Sequence, residues 1–471
     1  MSLQQRGLMA AAMVMLMAAG GGTAAEATVR ICPAPAGEPL ATNFMVMLGQ
    51  QRAPMYIARV ASGDPARRFK AMDDKTNSAA YYEHACFTYF DLQGPTEVTV
   101  TSADPIKTVK LLPTSYGINP SVSGNRIVFT LNCPGHVTLE VNDNWVNSLH
   151  LFANPPETNA PHQGDPNVIY YGPGIHEVDN VRVTSGQTVY VAGGAVVRGV
   201  PKPGGRSLFS LEGENITLRG RGIIDGTLCP THSRHMVSVR GTNILLEGVI
   251  LRDSSVWTVP IRRSEQVKVN NLKLLGYRAN SDGIDICNSR NVEVIGCFIR
   301  TLDDLVVIKA DKGQGPVRNI FVHDCVLWNE VAHALSVGAE LREDVDQVRF
   351  ANCDVIHDKG REWTLRVYHC DAARISNVTF ENLRIEETKR LISVWIGKQV
   401  WSRDPERGHI DGVTFRDIRA TGTQPRVELK GFDASHGVTD VKFERVSVNG
   451  QPLQAAEVKQ NEFVQRVSVK P

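Results

Sequence analysis

The chain reads VEVIGCFI at residues 292–299, IFVHDCVL at 320–327 and VRFANCDV at 348–355, one pattern recurring every 28 residues. In each copy apolar and polar residues alternate, a polar pair interrupts, and a further apolar residue follows. Alternation with period two marks a strand with one buried face. Working outward, the pattern appears again at 244 (ILLEGVIL), 267 (VKVNNLKL), 378 (VTFENLRI), 413 (VTFRDIRA) and 441 (VKFERVSV), with start-to-start steps between 23 and 35 residues. Self-similarity at this period predicts a solenoid, because one unit cannot bury its apolar face without neighbours stacked on it. A coil of this length suits three strands and three turns, so about ten coils of parallel β-helix are expected, with rungs about 4.8 Å apart. Asn243, Asn291, Asn319 and Asn377 each precede a unit and should stack as turn asparagines. Cys297, Cys325 and Cys353 share one repeat position and should stack as small buried hydrophobes.

Residues 26–158 lack this period. Runs such as TEVTVTS, NRIVFTL and HVTLEV, parted by Gly, Pro and Asn turns, predict a small antiparallel β-sandwich. A linker over 154–161 leads into the helix domain, 159–471, whose first strands fall near Val168. The first 25 residues carry Arg6, an apolar run from Leu8 to Ala19 and the small exit Thr23-Ala24-Ala25, which predicts a signal peptide and an exported, periplasmic or secreted product. The apolar run is too short to span a bilayer, so no membrane span is expected. With 51 Lys plus Arg against 50 Asp plus Glu, the net charge of +1 gives no basic surface for nucleic acid. A monomer is expected. Nine cysteines is an odd number; one pair among Cys32, Cys86 and Cys133 could be bridged. No Cys or His spacing suits zinc, and neither a metal nor a cofactor is expected.

A second strand in each coil aligns by its own alternation: Asp282-Gly-Ile-Asp-Ile, Asp304-Leu-Val-Val-Ile, His333-Ala-Leu-Ser-Val and Trp363-Thr-Leu-Arg-Val. The third and fifth residues should point inward. The first residues then form a column, Asp282, Asp304, His333 and Trp363, with His235 and Arg390 in the same slot and Asp303 at the turn. Three carboxylates and an imidazole gather on one outer face. Glycosidic hydrolysis needs such a set: a protonated carboxyl donates to the leaving oxygen while a carboxylate activates water, the two about 6.5–9.5 Å apart in inverting enzymes, or somewhat closer here. Crowded carboxylates also raise the pKa of at least one.

Asn280-Ser281-Asp282-Gly283-Ile284-Asp285, Asp303-Asp304 with Ile308-Lys309, and Ala332-His333-Ala334 with Ser336-Val337-Gly338 together resemble the signature of glycoside hydrolase family 28, the polygalacturonases. The stretch from Asn215 to Gly226 resembles that family's early coil. The resemblance covers about 168–450 and implies a right-handed parallel β-helix that hydrolyses with inversion. It implies Asp303 as general acid, Asp282 and Asp304 holding the water as base, and His333 tuning the charge. Arg366-Val367-Tyr368 stands where the family carries Arg-Ile-Lys. Arg366 can pair with a uronate, but Tyr368 brings no cation, so a modified pectic, other acidic or neutral glycan is expected as substrate. Lys309 and Trp363 are further candidates to line the cleft, and Trp257 and Trp401 are candidate sugar platforms. The 398–409 stretch should emerge as a loop. Asp285 and Asp225 read as turn or ladder aspartates. The alternatives are a family 49-like hydrolase of a neutral α-glucan, with its β-sandwich ahead of a β-helix, a Ca²⁺-dependent lyase, and a glycan-binding β-helix without turnover.

Overall fold

The computed structural model describes residues 28–201, 207–423 and 425–471; the expected signal peptide lies outside the described residues. From Val168 the chain winds into a parallel β-helix. One ladder passes from Val168–Tyr171 through Thr188–Val191, Ile216, Ile244, Val267, Val292, Ile320, Val348, Val378, Val413 and Val441 to Val467. Every repeat unit therefore pairs in the register that its own alternation dictates. Among the described residues this ladder has twelve rungs instead of about ten. The additional rungs lie at the two ends, where neighbours cover only one side and the repeat pattern is weak.

Inside the coil, identical positions meet. Phe350, Phe380, Phe415 and Phe443 stack with ring centroids 4.8, 5.0 and 5.3 Å apart. Cys297, Cys325 and Cys353 are buried in line, since Phe298 pairs with Val326 and Val326 with Asp354. All nine cysteines are free. The bridge considered among Cys32, Cys86 and Cys133 does not form: Cys86 is buried in the sandwich core, Cys133 is exposed, and Cys32 packs toward the helix.

The asparagine stack exists in segments. Asn243 Nδ2 donates to Asn215 Oδ1, and Asn319 Nδ2 to Asn291 Oδ1, each at 2.6 Å. Gln266 and Gln347 take the intervening rungs. All of these residues share a left-handed backbone, φ 53–58° from Asn215 to Asn377, a conformation that Asn tolerates better than most side chains. The turn geometry, more than the amide ladder, is what the position demands.

Residues 28–154 form two packed sheets. The larger has Tyr82–Gln93 at its centre, between Thr28–Ile31 and Asn144–Asn154, with Tyr56–Ala61 also paired to it; the smaller is built on Phe44–Leu48, Thr96–Ser102 and Arg126–Leu131. Pairing is antiparallel except that Asn144–Asn154 runs parallel to Tyr82–Gln93. Val46, Val100 and Ile127 meet Phe90, Leu139 and Leu151 between the sheets. The other face of the larger sheet lies along the flank of the helix, where Tyr56, Phe87, Tyr89 and Phe152 pack on Val196, Ile223, Ile250, Phe298 and Val326. Each such burial is worth about 1.5–3 kcal/mol. Buried pairs cross the same interface: Arg252 with Glu38 at 2.8 Å and Arg221 with Asp91 at 2.7 Å. Between Tyr56–Ala61 and Tyr82 the chain makes an excursion opening on a short helix, Pro65–Lys70, capped by Asp64, whose side chain accepts from Ala66 N. It packs Ala71 and Met72 against Tyr277, Leu302 and Val331 of the β-helix. No helix among the described residues is long and apolar enough to cross a membrane.

Candidate active site

The cleft is built by register. Ile284 pairs with Val306, Val306 with Leu335, and Leu335 with Leu365, all fully buried and pointing inward. Two residues earlier on each rung stand Asp282, Asp304, His333 and Trp363. Backbone bonds carry the stacking through these turns: Gly283 N–H donates to Asp304 O at 2.8 Å and Leu305 N–H to His333 O at 2.9 Å. Gly283 is required there, because a Cβ would come within 2.3 Å of Leu305 O. Arg390 lies one rung beyond Trp363. On the other side Val259 pairs with Ile284, so Trp257 fills the rung between His235 and Asp282. The segment around Trp257 hides its place in the column because Pro260 interrupts the alternation.

Asp282, Asp303 and Asp304 each bring an oxygen within 4.8 Å of the other two, closer than the lower end of the expected spacing. Asp303 sits at the turn and is partly exposed to the cleft. Asp304 N–H donates to its Oδ1 at 3.0 Å, and Asn280 Nδ2 to its Oδ2 at 3.5 Å. Burial and the neighbouring carboxylates of Asp282 and Asp304 push Asp303 well above the ordinary carboxylate range. No cation is paired directly with it among the described residues.

Asp304 goes the other way. Burial would raise it, but His333 Nδ1 at 2.5 Å from Oδ1 and the Arg366 guanidinium at 3.5 Å from Oδ2 hold it well below its usual value. Burial and the Arg366 cation keep His333 itself below the ordinary imidazole range. Asp282 is pushed up by burial, with the Lys309 ammonium, 3.1 Å from its Oδ2, opposing and Asp285 and Asp304 adding to the rise. Lys309 also meets Asp285 at 3.0 Å and lies over the Trp257 ring at 4.0 Å. Burial would discharge Lys309, but Asp282 and Asp285 hold it charged. Lys309, a candidate wall residue, is thus engaged beneath the trio. Asp285, read as a ladder aspartate, is its second counter-ion, pushed up to about 6 by burial against the pull of Lys309. The trio's oxygens are close enough for a cation to bridge, and Lys309 already supplies positive charge beside them.

These groups open into a cleft of about 450 Å³ that Trp257, Trp363, Arg366 and Tyr368 also line. The 398–409 loop adds Gln399 and Trp401, and Trp395 stands edge-on to Trp363 at 5.4 Å. The sandwich excursion contributes Met72. Sequence reasoning missed Trp395, whose place in the alternating run ISVWI was legible, and Met72, for which the sequence holds no signal.

The profile of the glycosyl hydrolases family 28 matches residues 177–467. Among curated proteins, the chain is 43% identical over 161 residues to an endo-polygalacturonase of Pectobacterium carotovorum subsp. carotovorum, covering 33% of this chain and 37% of that one. It is 29% identical over 170 residues to an exopolygalacturonase, clone GBGE184, of Arabidopsis thaliana, covering 34% and 37%. The match thus spans under two fifths of each relative's length. Among solved structures, a family 28 exopolygalacturonase of Yersinia enterocolitica superposes with TM-score 0.52 over 94% of this chain and 96% of that one, at 14% identity. Dex49A of Penicillium minioluteum gives 0.54 over 93% and 96%, at 12% identity. At these identities the likeness speaks for the fold, and both superpositions extend over the sandwich as well as the helix.

Proposed function

This chain belongs to the glycosyl hydrolases family 28, and from that membership we propose that it is an exported hydrolase of a pectic or related glycan that cleaves with inversion. The observation that carries the proposal is the gathering of three carboxylates within 4.8 Å of one another in the cleft, only one of them, Asp304, held by both His333 and Arg366. Asp303 has no paired cation among the described residues and burial beside two carboxylates pushes its pKa up, while His333 and Arg366 hold that of Asp304 down. Two carboxyls whose environments drive their pKa values apart suit acid and base roles. Asp303 donates to the leaving oxygen. Asp304, with Asp282, orients and deprotonates the attacking water. Asp282, whose carboxyl burial pushes up against the pull of Lys309, holds the water in place beside Asp304. Arg366 presents a guanidinium to a uronate carboxylate.

Tyr368, in place of a second cation, favours a second reading: a hydrolase of neutral α-glucan. Incubating the protein with homogalacturonan, branched pectic polysaccharides and α-glucans, with product analysis, separates the two. Turnover of pectic polymers alone supports the first reading; turnover of α-glucans alone overturns it.

A further inference from the structure

Trp257 stands in the column one rung before Asp282, and cations take up its ring. Lys309 Nζ lies over the ring, 4.0 Å from its centroid, and the Arg262 guanidinium comes to 4.7 Å. The lysine is the centre of a closed set, since its Nζ also meets Asp282 Oδ2 at 3.1 Å and Asp285 Oδ1 at 3.0 Å. Asp282, Asp285 and Lys309 are all buried. Trp257 is half-buried and lines the cleft beside Lys309, so its ring covers part of an ammonium that water in the cleft would otherwise reach.

A flat aromatic face can receive a sugar only where it is free. Here one face already holds an ammonium, an attraction that strengthens when water is excluded. The same exclusion strengthens the pull of Lys309 on Asp282, because charges interact more strongly where the local dielectric is low. No second cation shares that task. Among the described residues Lys309 alone is paired with Asp282, whereas His333 and Arg366 serve Asp304. The other charged groups that face Lys309 are Asp304 on its own rung, Glu340 on the next, and Arg262 beside the Trp257 ring. Cys287, which pairs with Lys309 on the preceding rung, is pushed up to about 12 by burial and stays neutral.

We infer that Trp257 is a positioning residue and not a sugar platform: its ring is a lid that keeps water from Lys309, so that the ammonium acts undiluted on Asp282 and holds that side chain where the attacking water binds. What Asp282 does rests on the hydrolase reading above; the lid itself rests on the contacts around Lys309.

Amine-directed labelling read by mass spectrometry tests the lid without substrate. Lys309 should react slowly in the unmodified protein and about tenfold faster in Trp257→Leu, where water reaches the ammonium. Trp257→Phe, which keeps an aromatic face, should stay near the unmodified rate. Kinetics on a pectic oligosaccharide then separates lid from platform. Trp257→Leu should move the acid limb of kcat/KM up by about half a pH unit or more, because Asp282 loses cation support and keeps its proton to higher pH. Its calorimetric Kd in the Asp303→Asn background should change by less than about twofold, since no sugar contact is lost. In a Lys309→Met background the same substitution should leave the acid limb where Lys309→Met puts it, as no ammonium remains to be covered. Unchanged labelling of Lys309, or a Kd weakened with the acid limb unmoved, overturns the lid. Absence of turnover on any glycan removes the hydrolase reading, and the labelling rates still decide the lid.

Discussion

His333 Nδ1 lies 2.5 Å from Oδ1 of Asp304, one rung away. With its own pKa held below the ordinary imidazole value, the ring acts at neutral pH as a hydrogen-bond donor, and the bond favours the ionised form of Asp304. His333→Ala removes that support, so Asp304 should take up a proton at higher pH. The acid limb of kcat/KM should move upward by about one pH unit, with a moderate loss of rate at its optimum. An unmoved acid limb in a pH–rate profile would detach His333 from the base.

Asp303 must carry its proton to work as the acid, and its pKa is raised. Activity should therefore persist on the acid side and fall as pH rises through that value. Asp303→Asn should lower kcat by about 10²–10⁴ with little change in substrate binding. Asp282→Asn and Asp304→Asn should also cost heavily. Steady-state kinetics with a calorimetric Kd checks the split; near wild-type turnover in Asp303→Asn defeats the mechanism.

The stereochemistry is a separate test. Proton NMR of the first-formed product should show the anomeric configuration opposite to that of the cleaved bond. The close approach of the trio, within 4.8 Å, makes this measurement informative, because retention would mean that a carboxylate attacks the sugar directly.

Chelation should leave activity unchanged, since Lys309 supplies the positive charge beside Asp282 and Asp285. Loss on EDTA treatment with recovery in Ca²⁺, accompanied by the absorbance of an unsaturated uronide, would place the protein among lyases.

Acid should loosen the seat of the sandwich. His136, whose Nε2 donates to Gly296 O at 2.9 Å, is held neutral down to about 3, chiefly by burial. The unfolded chain takes up that proton near 6.5. Stability from this group is thus fully present above 6.5 and is lost as pH falls toward 3, by roughly 5 kcal/mol in total. The fall of Tm with pH should be shallower in His136→Gln; parallel curves would exclude the group.

The sequence alone determined the β-helix, its register and the column of Asp282, Asp304 and His333. These follow from a period that repeats in every coil, so that residues spaced 22 to 29 apart become neighbours on adjacent rungs. Stacked Phe350, Phe380 and Phe415 are legible for the same reason. Tertiary structure decided what the period does not encode. Trp257 enters the column through a rung whose alternation Pro260 breaks. Lys309 turns back to Asp282 and Asp285, a choice of rotamer set by two buried charges that sequence spacing leaves open. Met72 reaches the cleft from a different domain. Such features depend on how side chains and non-repeating segments settle against the finished helix, and no local pattern in the chain records that.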